Sequence, residues 1–380
     1  MTGRRVAAVI TKLDGGAGLL ALRGAVAAAG GGYETTIVTG PETPATGGRL
    51  LAQAREAGVE VLAVPSLTTP ISPAADLRAL ADLTGLLRRR RFDVVHTHTA
   101  KAGAVGRIAA RRAGAARIVH TYHGFPFHEF QSPARRGAYI AIERRLGRIT
   151  DVGLCVGTGV AVEAVRRGLL VPERIRTVGV AVPPAPAACP DTRERARRAL
   201  GLPSGAVVVG AVGRLAYQKA PEDLLAALRL LAPGVPGLAG VWIGDGELAR
   251  RVRALAARPG MPPVVLTGDR ADVADLLPAF DVFALPSRYE GLPTAVVEAM
   301  ACGIPVVATA VNAVGDVVVP GETGLLVPPR RPDRLAAALG YLVDHPGEAA
   351  RMADAARARL SGRFTMDALR DTLARAYASP

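Results

Sequence analysis

Cysteine, lysine and aromatic residues are all scarce in this chain, and each scarcity removes a class of protein. The three cysteines, Cys155, Cys189 and Cys302, lie more than thirty residues apart and form no C-x-x-C pair. Neither a disulfide framework nor a zinc knuckle is available from that spacing, and a reducing cytoplasmic setting fits it. Aromatic residues are 4% of the chain, with a single tryptophan. That is too few, and too little interleaved with basic runs, for a base-stacking surface, so nucleic acid is not an expected partner. No uncharged apolar stretch reaches the ~18 residues of a spanning helix, because Arg, Asp or Glu interrupts every Ala/Leu/Val-rich run. The early apolar run Val6–Ile10 is cut by Lys12 and Asp14; it is too short for a signal-peptide core and reads as a first buried strand.

What remains is a chain of 380 residues, 49% hydrophobic, with a formal net charge of +14 carried almost entirely by arginine, since only Lys12, Lys101 and Lys219 are lysine. The length suits two or three domains. The surplus charge reads either as a solvated arginine-rich surface or as a face for polyphosphate or an acidic membrane.

Short Val/Ile-rich runs alternate with longer Ala/Leu/Arg segments of helical period, the pattern of βα units and a parallel sheet. Strands are expected at Val6–Ile10, Glu34–Thr39, Val59–Val64, Asp93–His96, Arg117–His120 and Val152–Val156. The stretch Val182–Pro190 has four prolines in nine residues and cannot sustain a helix or a central strand. After it the alternation restarts, with strands expected at Ala206–Val212, Gly240–Ile243, Val264–Thr267, Val282–Leu285, Val306–Ala308 and Gly324–Val327. The expected organisation is a Rossmann-like domain over 1–185, a second over 186–362, and a C-terminal helix over 363–380 that packs back on the first. In such sheets ligands sit where strands end and helices begin, and two sheets facing each other would form one cleft.

Two strand-to-helix stretches carry the most chemistry. In Ser287–Gly303, a strand ends near Leu285, Pro293 suits the first helical position and Gly303 a C-terminal cap. Glu290 then lies in the loop, and Glu298 rides the helix four residues beyond Thr294, about 6 Å along its axis. The open helix end offers amides to a phosphate, and a carboxylate one turn on can accept two hydrogen bonds from a ribose diol. An exposed Glu298, with Glu290 merely complementing the helix dipole, is the alternative. In Val209–Leu224, Arg214 and Lys219 straddle a second such loop, a placement suited to a diphosphate leaving group; two solvated surface cations are the plainer reading.

The E-x7-E spacing from Glu290 to Glu298 and the G-R-x4-K spacing from Gly213 to Lys219 together resemble the family 4 nucleotide-sugar glycosyltransferases of the GT-B fold. The similarity takes in Ile243–Glu247 and Gly321–Pro329 and runs through nearly all of residues 1 to 375. It implies that Gly213, Arg214 and Lys219 hold the donor diphosphate, Glu298 the ribose and Glu290 the transferred sugar. The amides around Gly291, Leu292 and Thr294 would cap the phosphates, and the loop Gly268-Asp269-Arg270 would receive the base. Thr121–Gly124 is similar to the family's T-x-H-G element, which gives His123 a place beside the donor sugar. Gly15 and Gly16, in the loop after the first strand, would lie near the donor phosphates. His98–Gly103 is similar to an H-S-S-K-A-G element of transferases in surface-polysaccharide assembly, so His98 and Lys101, with Phe125, are the acceptor-side candidates; a helix-start lysine is the alternative for Lys101. Five of the six histidines fall between positions 96 and 128, readable as a metal cluster or as ordinary hydrogen-bonding groups lining a cleft.

The chain departs from the family pattern at Ala220, where glycine is usual, and at Val311–Asp316, where a G-G-x-x-E turn is common. Val178–Val182 and Leu67–Ile71 also differ, and these departures leave the acceptor open. No D-x-D motif is present, and the two cations can stand in for a divalent ion, so no metal or other cofactor is expected. The resulting expectation is a retaining, metal-independent hexosyltransferase acting on a nucleoside-diphosphate sugar, UDP favoured, with an unidentified hydroxyl acceptor. Its expected location is the cytoplasm, with peripheral contact at the inner membrane face as the reading the charge adds. The rivals are a nucleotide-sugar 2-epimerase on the same fold and a nucleotide-sugar-binding protein without turnover.

Overall fold

The computed structural model describes residues 3–41, 48–127, 131–182, 188–203 and 205–378. The chain divides into two compact units, one running to Ala181 and resuming at Phe364, the other spanning Val182–Arg363.

The first unit begins with β1 (Arg5–Ile10), α1 (Gly15–Gly30), β2 (Glu34–Thr39), α2 (Gly48–Glu56), β3 (Glu60–Ala63), α3 (Pro73–Arg90), β4 (Val94–His98) and α4 (Ala100–Ala113). It continues with β5 (Arg117–Tyr122), α5 (Pro133–Gly147), β6 (Val152–Cys155), α6 (Thr158–Arg166) and β7 (Ile175–Thr177). The strands form one sheet in the order β3-β2-β1-β4-β5-β6-β7, every pair parallel. Strands covered on both faces read as unbroken apolar runs, and Val6–Ile10 is buried throughout.

The second unit holds α7 (Pro190–Ala199), β8 (Val207–Val212), α8 (Pro221–Leu231), β9 (Leu238–Ile243), α9 (Ala249–Ala256), β10 (Val264–Leu266), α10 (Val273–Leu276) and β11 (Val282–Leu285). It closes with α11 (Thr294–Ala301), β12 (Val306–Thr309), β13 (Leu325–Val327), α12 (Pro332–Asp344) and α13 (Pro346–Leu360). Its six strands run β10-β9-β8-β11-β12-β13. The strand order reverses between β1 and β4 in one sheet and between β8 and β11 in the other. These are the topological switch points at which open α/β sheets take ligands.

The last helix, α14 (Met366–Tyr377), starts at Thr365, whose hydroxyl accepts from the Ala368 amide, and buries Leu369, Leu373 and Tyr377. It packs on α1 within the first unit.

The structure departs from the sequence expectations in specific places. β4 and β5 continue to His98 and Tyr122, beyond the expected ends at His96 and His120. β7, α10, α12 and α13 were not foreseen. β7 is three residues, Ile-Arg-Thr, on a sheet edge and largely exposed, so it lacks the apolar run that marks a buried strand. Gly15 and Gly16 are the first turn of α1, not a loop: Asp14 caps that helix, its carboxylate accepting from the Gly15 amide. Pro293 is the N-cap of α11, and its first helical residue is Thr294.

Candidate active site

The switch point of the second unit gathers the predicted cations and carboxylate. β8 and β11 are paired neighbours, with Val282 beside Val209, so the loops after them emerge side by side. Lys219 and Glu290 meet there, Nζ to Oε1 at 2.6 Å. Glu290 is buried, at 7% exposure, and a buried carboxylate needs several partners. The Ser287 hydroxyl donates to the same Oε1 at 2.5 Å, and Gln218 Nε2 approaches Oε2 at 3.4 Å. Gln218 Nε2 also donates to the Tyr289 carbonyl at 3.1 Å, and the Arg288 amide returns a bond to the Gln218 carbonyl at 2.8 Å. The two loops are thus laced together.

Arg214 is exposed, and among the described residues no carboxylate lies within ion-pairing distance of it. Its loop leaves β8 through Gly213, whose carbonyl accepts from the Trp242 indole at 2.7 Å. A Cβ on Gly244 would stand 2.3 Å from that same carbonyl oxygen, so the Ile243–Glu247 turn needs glycine there. Ala220 is the N-cap of α8 in the left-handed region, φ 48°, which explains why glycine is usual at that position. Alanine there carries strain of about 1 kcal/mol.

No side chain caps α11; the Val296 amide turns back to the Pro293 carbonyl at 3.0 Å, which leaves the amides of Thr294 and Ala295 as available donors. Glu298, one turn further, is half-buried. Gly303 follows the C-cap with φ +76°, and the Gly303 and Ile304 amides bond the Met300 and Ala299 carbonyls at 3.0 Å each, a Schellman closure. The Gly268-Asp269-Arg270 loop is tied to the 244–245 turn: the Gly244 amide donates to the Gly268 carbonyl at 2.9 Å, and the Asp245 amide to Asp269 Oδ1 at 3.1 Å. Arg270 pairs with Asp272, the closer contact 2.5 Å.

Sequence reasoning missed Ser287, Gln218 and Asn312. Asn312 stands in the stretch that replaces the G-G-x-x-E turn, adopts φ 41°, and accepts from the Glu290 amide through Oδ1 at 3.2 Å. The signal was the departure itself: asparagine tolerates the left-handed backbone that glycine would supply and adds an acceptor.

The switch point of the first unit holds the histidines. His96 and His98 alternate along β4 and share a face, ring centroids 4.2 Å apart. His98 Nδ1 lies 3.0 Å from His123 Nε2, so one imidazole donates and the other accepts. His96 bonds the Tyr377 hydroxyl and Thr121 Oγ1, each at 2.7 Å. His120 is on the opposite face, bonded to Thr97 at 2.9 Å. Burial drives all four imidazoles toward neutrality: the pKa of His123 falls to about 4 and that of His96 to about 3, while His98 and His120 fall well below the ordinary value. His98 Nε2 is buried with no partner among the described residues. The next residue, Thr99, has φ 64° and ψ 164°, a glycine-only region that costs a β-branched residue about 1–3 kcal/mol.

Gly15 has φ +59°, and a Cβ on it would meet nothing within 4 Å. Lys101 is held by Asp76 at 2.5 Å and by the Pro70 carbonyl, so its charge is already paired. Phe125 stacks on Phe127, centroids 4.8 Å apart. His128 lies outside the described residues. Among the described residues no group of three or more His, Cys, Asp or Glu is arranged to hold a metal ion, and no helix is long and apolar enough to cross a membrane.

Two doubly wound units, one with cations and a carboxylate converging on its switch point beside an uncapped helix, define an α/β enzyme of the GT-B class. Residues 15–181 match the glycosyl transferase 4-like domain, and residues 192–359 the glycosyl transferases group 1 family. The chain belongs to family 4 of the glycosyltransferases. It is 32% identical over 266 residues to the UDP-Gal:alpha-D-GlcNAc-diphosphoundecaprenol alpha-1,3-galactosyltransferase of Escherichia coli, covering 67% of each chain. It is 33% identical over 324 residues to a D-inositol 3-phosphate glycosyltransferase of Saccharomonospora viridis, covering 78% of this chain and 74% of that one. Among solved structures, Anabaena HepE in complex with UDP and glucose matches with a TM-score of 0.84 at 21% identity, over 98% of both chains. Sucrose-phosphate synthase of Thermosynechococcus elongatus matches with a TM-score of 0.84 at 22% identity over the same shares.

Proposed function

We propose that this glycosyltransferase moves a hexose or N-acetylhexosamine from a nucleoside-diphosphate sugar, UDP favoured, to an acceptor hydroxyl in the cytoplasm, with retention of anomeric configuration and without a divalent metal. The observation that carries the proposal is the contact of Lys219 with Glu290 at 2.6 Å, beside the uncapped turn of α11. A diphosphate seated on that turn competes for the Lys219 ammonium, and Arg214 supplies a second cation. Glu290, still held by Ser287 and Asn312, then accepts from hydroxyls of the transferred sugar, and Glu298 from the ribose. The identity of two relatives as sugar transferases, one named for UDP-galactose, and of a structural neighbour bound to UDP and glucose, supports the donor class.

In the transfer, the bond from the anomeric carbon to the diphosphate oxygen breaks and its electron pair stays on the phosphate. The acceptor oxygen bonds to the same face of that carbon, and its proton passes to the departing phosphate oxygen. Charge thus develops where Arg214 and Lys219 stand, which is the role a metal would otherwise fill. His123, neutral because burial holds its pKa near about 4, serves as a hydrogen-bonding group to a sugar hydroxyl and not as a cation.

The test is a thermal-shift screen of UDP, GDP, ADP and TDP with their sugars, followed by turnover of the stabilising donor in EDTA. Arg214→Ala and Lys219→Ala should each lose about 10²- to 10³-fold in turnover, the scale for one preorganised donor. Near-normal rates in both variants, or a rate abolished by EDTA, would remove the proposed roles.

A further inference from the structure

Three imidazoles line up inward from the end of β5. His123, just beyond Tyr122, is half-buried, whereas His98 is 1% exposed and His96 3%. The pairing of β4 with β5 sets His98 beside Thr121, two positions short of His123, and His98 Nδ1 reaches His123 Nε2 at 3.0 Å. Behind His98 the backbone turns through Thr99 at φ 64°, a strained conformation that persists only where its surroundings over-determine it. Deeper in, both ring nitrogens of His96 are engaged, by the Tyr377 hydroxyl and Thr121 Oγ1. Burial first, and then the neighbouring imidazoles, hold His96 and His98 neutral, and burial does the same for His123. A neutral imidazole has one N–H and one bare nitrogen, so the partners decide which nitrogen carries the proton. His98 Nε2 is buried with no partner among the described residues. A buried N–H without an acceptor is rarer than a buried acceptor without a donor, so the His98 proton belongs on Nδ1. From there it is donated to His123 Nε2, which must be bare, and the His123 proton is left on Nδ1. That nitrogen has no partner among the described residues.

We propose that His98 is a positioning residue that locks His123 in the tautomer protonated on Nδ1, so that His123 offers its substrate a hydrogen-bond donor and no base. The inference rests on the reading above, in which His123 meets a hydroxyl of the transferred sugar, and it specifies that contact: the sugar oxygen accepts, and His123 takes no proton from it. His98, expected on the acceptor side, then touches no substrate and acts through His123. The opposite arrangement puts a proton on His98 Nε2. It would bury an unanswered N–H, reverse the bond between the two rings, and leave His123 Nδ1 a bare nitrogen able to take a proton.

The test is proton–nitrogen correlation NMR on the full chain carrying isotope-labelled histidine, which separates protonated from bare ring nitrogens by chemical shift. His98→Phe and His123→Phe assign the two rings by the signals they remove. Both rings should be protonated on Nδ1. His98→Phe withdraws the donor and should let the two tautomers of His123 mix. His98→Asn, whose amide nitrogen can take the place of Nδ1, should keep the His123 proton on Nδ1, whereas His98→Gln, whose amide falls nearer the position of Nε2, should not. In calorimetric titrations, His98→Phe should weaken UDP-galactose about tenfold, the scale of one hydrogen bond, and leave UDP unchanged, with most of the loss recovered in His98→Asn. A merely structural histidine would not rank asparagine above glutamine, and unaltered circular dichroism in each variant keeps folding out of the comparison. A His123 proton on Nε2, or a His123 tautomer unchanged in His98→Phe, would overturn the inference. With the tautomers as expected, a His123→Phe variant that binds UDP-galactose as the unaltered chain does would instead overturn the sugar contact and leave the His98 lock standing.

Discussion

Acidification from pH 7.5 to 5.5 should weaken the first unit far more than the second, because the first buries neutral imidazoles and the second does not. His96, His98 and His120 are at most 3% exposed, and burial lowers the pKa of each, as it does that of His123. An unfolded histidine titrates near 6.5. Between that value and its depressed folded value, the unfolded state binds the extra proton, so stability is complete above pH 6.5 and declines as pH falls toward 4 and below. At pH 5.5, a histidine with a folded pKa of about 3 or about 4 loses about 1–2 kcal/mol of stabilisation by this linkage. His96 and His123 together therefore account for about 3 kcal/mol, and His98 and His120 act in the same direction. Against a total stability of about 5–15 kcal/mol, that loss corresponds to a melting temperature lower by roughly 6–12 °C for a unit of this size. The second unit contains a single histidine, His345, which is exposed, and serves as the internal control. Hydrogen exchange followed by mass spectrometry at the two pH values, corrected for intrinsic rates, separates the units by peptide. Protection in β4 and β5 should fall while that in β8 and β11 holds. Equal loss in both units, or none in β4 and β5, would refute the assignment of neutral buried histidines.

Two further outcomes follow from single contacts. Glu143→Ala leaves the Arg107 guanidinium, 0% exposed, without its carboxylate, and should cost about 3–5 kcal/mol in urea unfolding; pairing it with Arg107→Met should recover most of that, and a single-variant cost below about 1 kcal/mol would show the pair to be solvated. Asn312→Gly keeps the left-handed backbone but loses the acceptor for the Glu290 amide, whereas Asn312→Ala loses both. Alanine should therefore be the less stable by about 1 kcal/mol and both should slow turnover about tenfold, with equal melting temperatures in the two variants sinking the backbone argument.

The order of elements and the chemistry of two loops were legible in the chain itself, because both depend on near neighbours. Glu34–Thr39 has the ends its Thr/Ile/Val run implied, and the E-x7-E and G-R-x4-K spacings pointed to the family that the domain matches show. Helix starts were less legible: Gly15–Gly16 looked like a loop because glycine is a poor helix former, yet the Asp14 cap begins α1 on them. Which residues meet was decided only in three dimensions. Lys219 and Glu290 are 71 positions apart, and they pair because the strand order places β11 against β8; each alone suggested a separate ligand contact. Tyr377 reaches His96 across 281 positions because α14 packs on α1, and His98 reaches His123 because β4 and β5 end together. Local sequence sets the period, the caps and the charge of each segment. Partners for a buried charge or imidazole come from whichever strand ends lie alongside, and that adjacency belongs to the sheet's winding order, which no local pattern encodes.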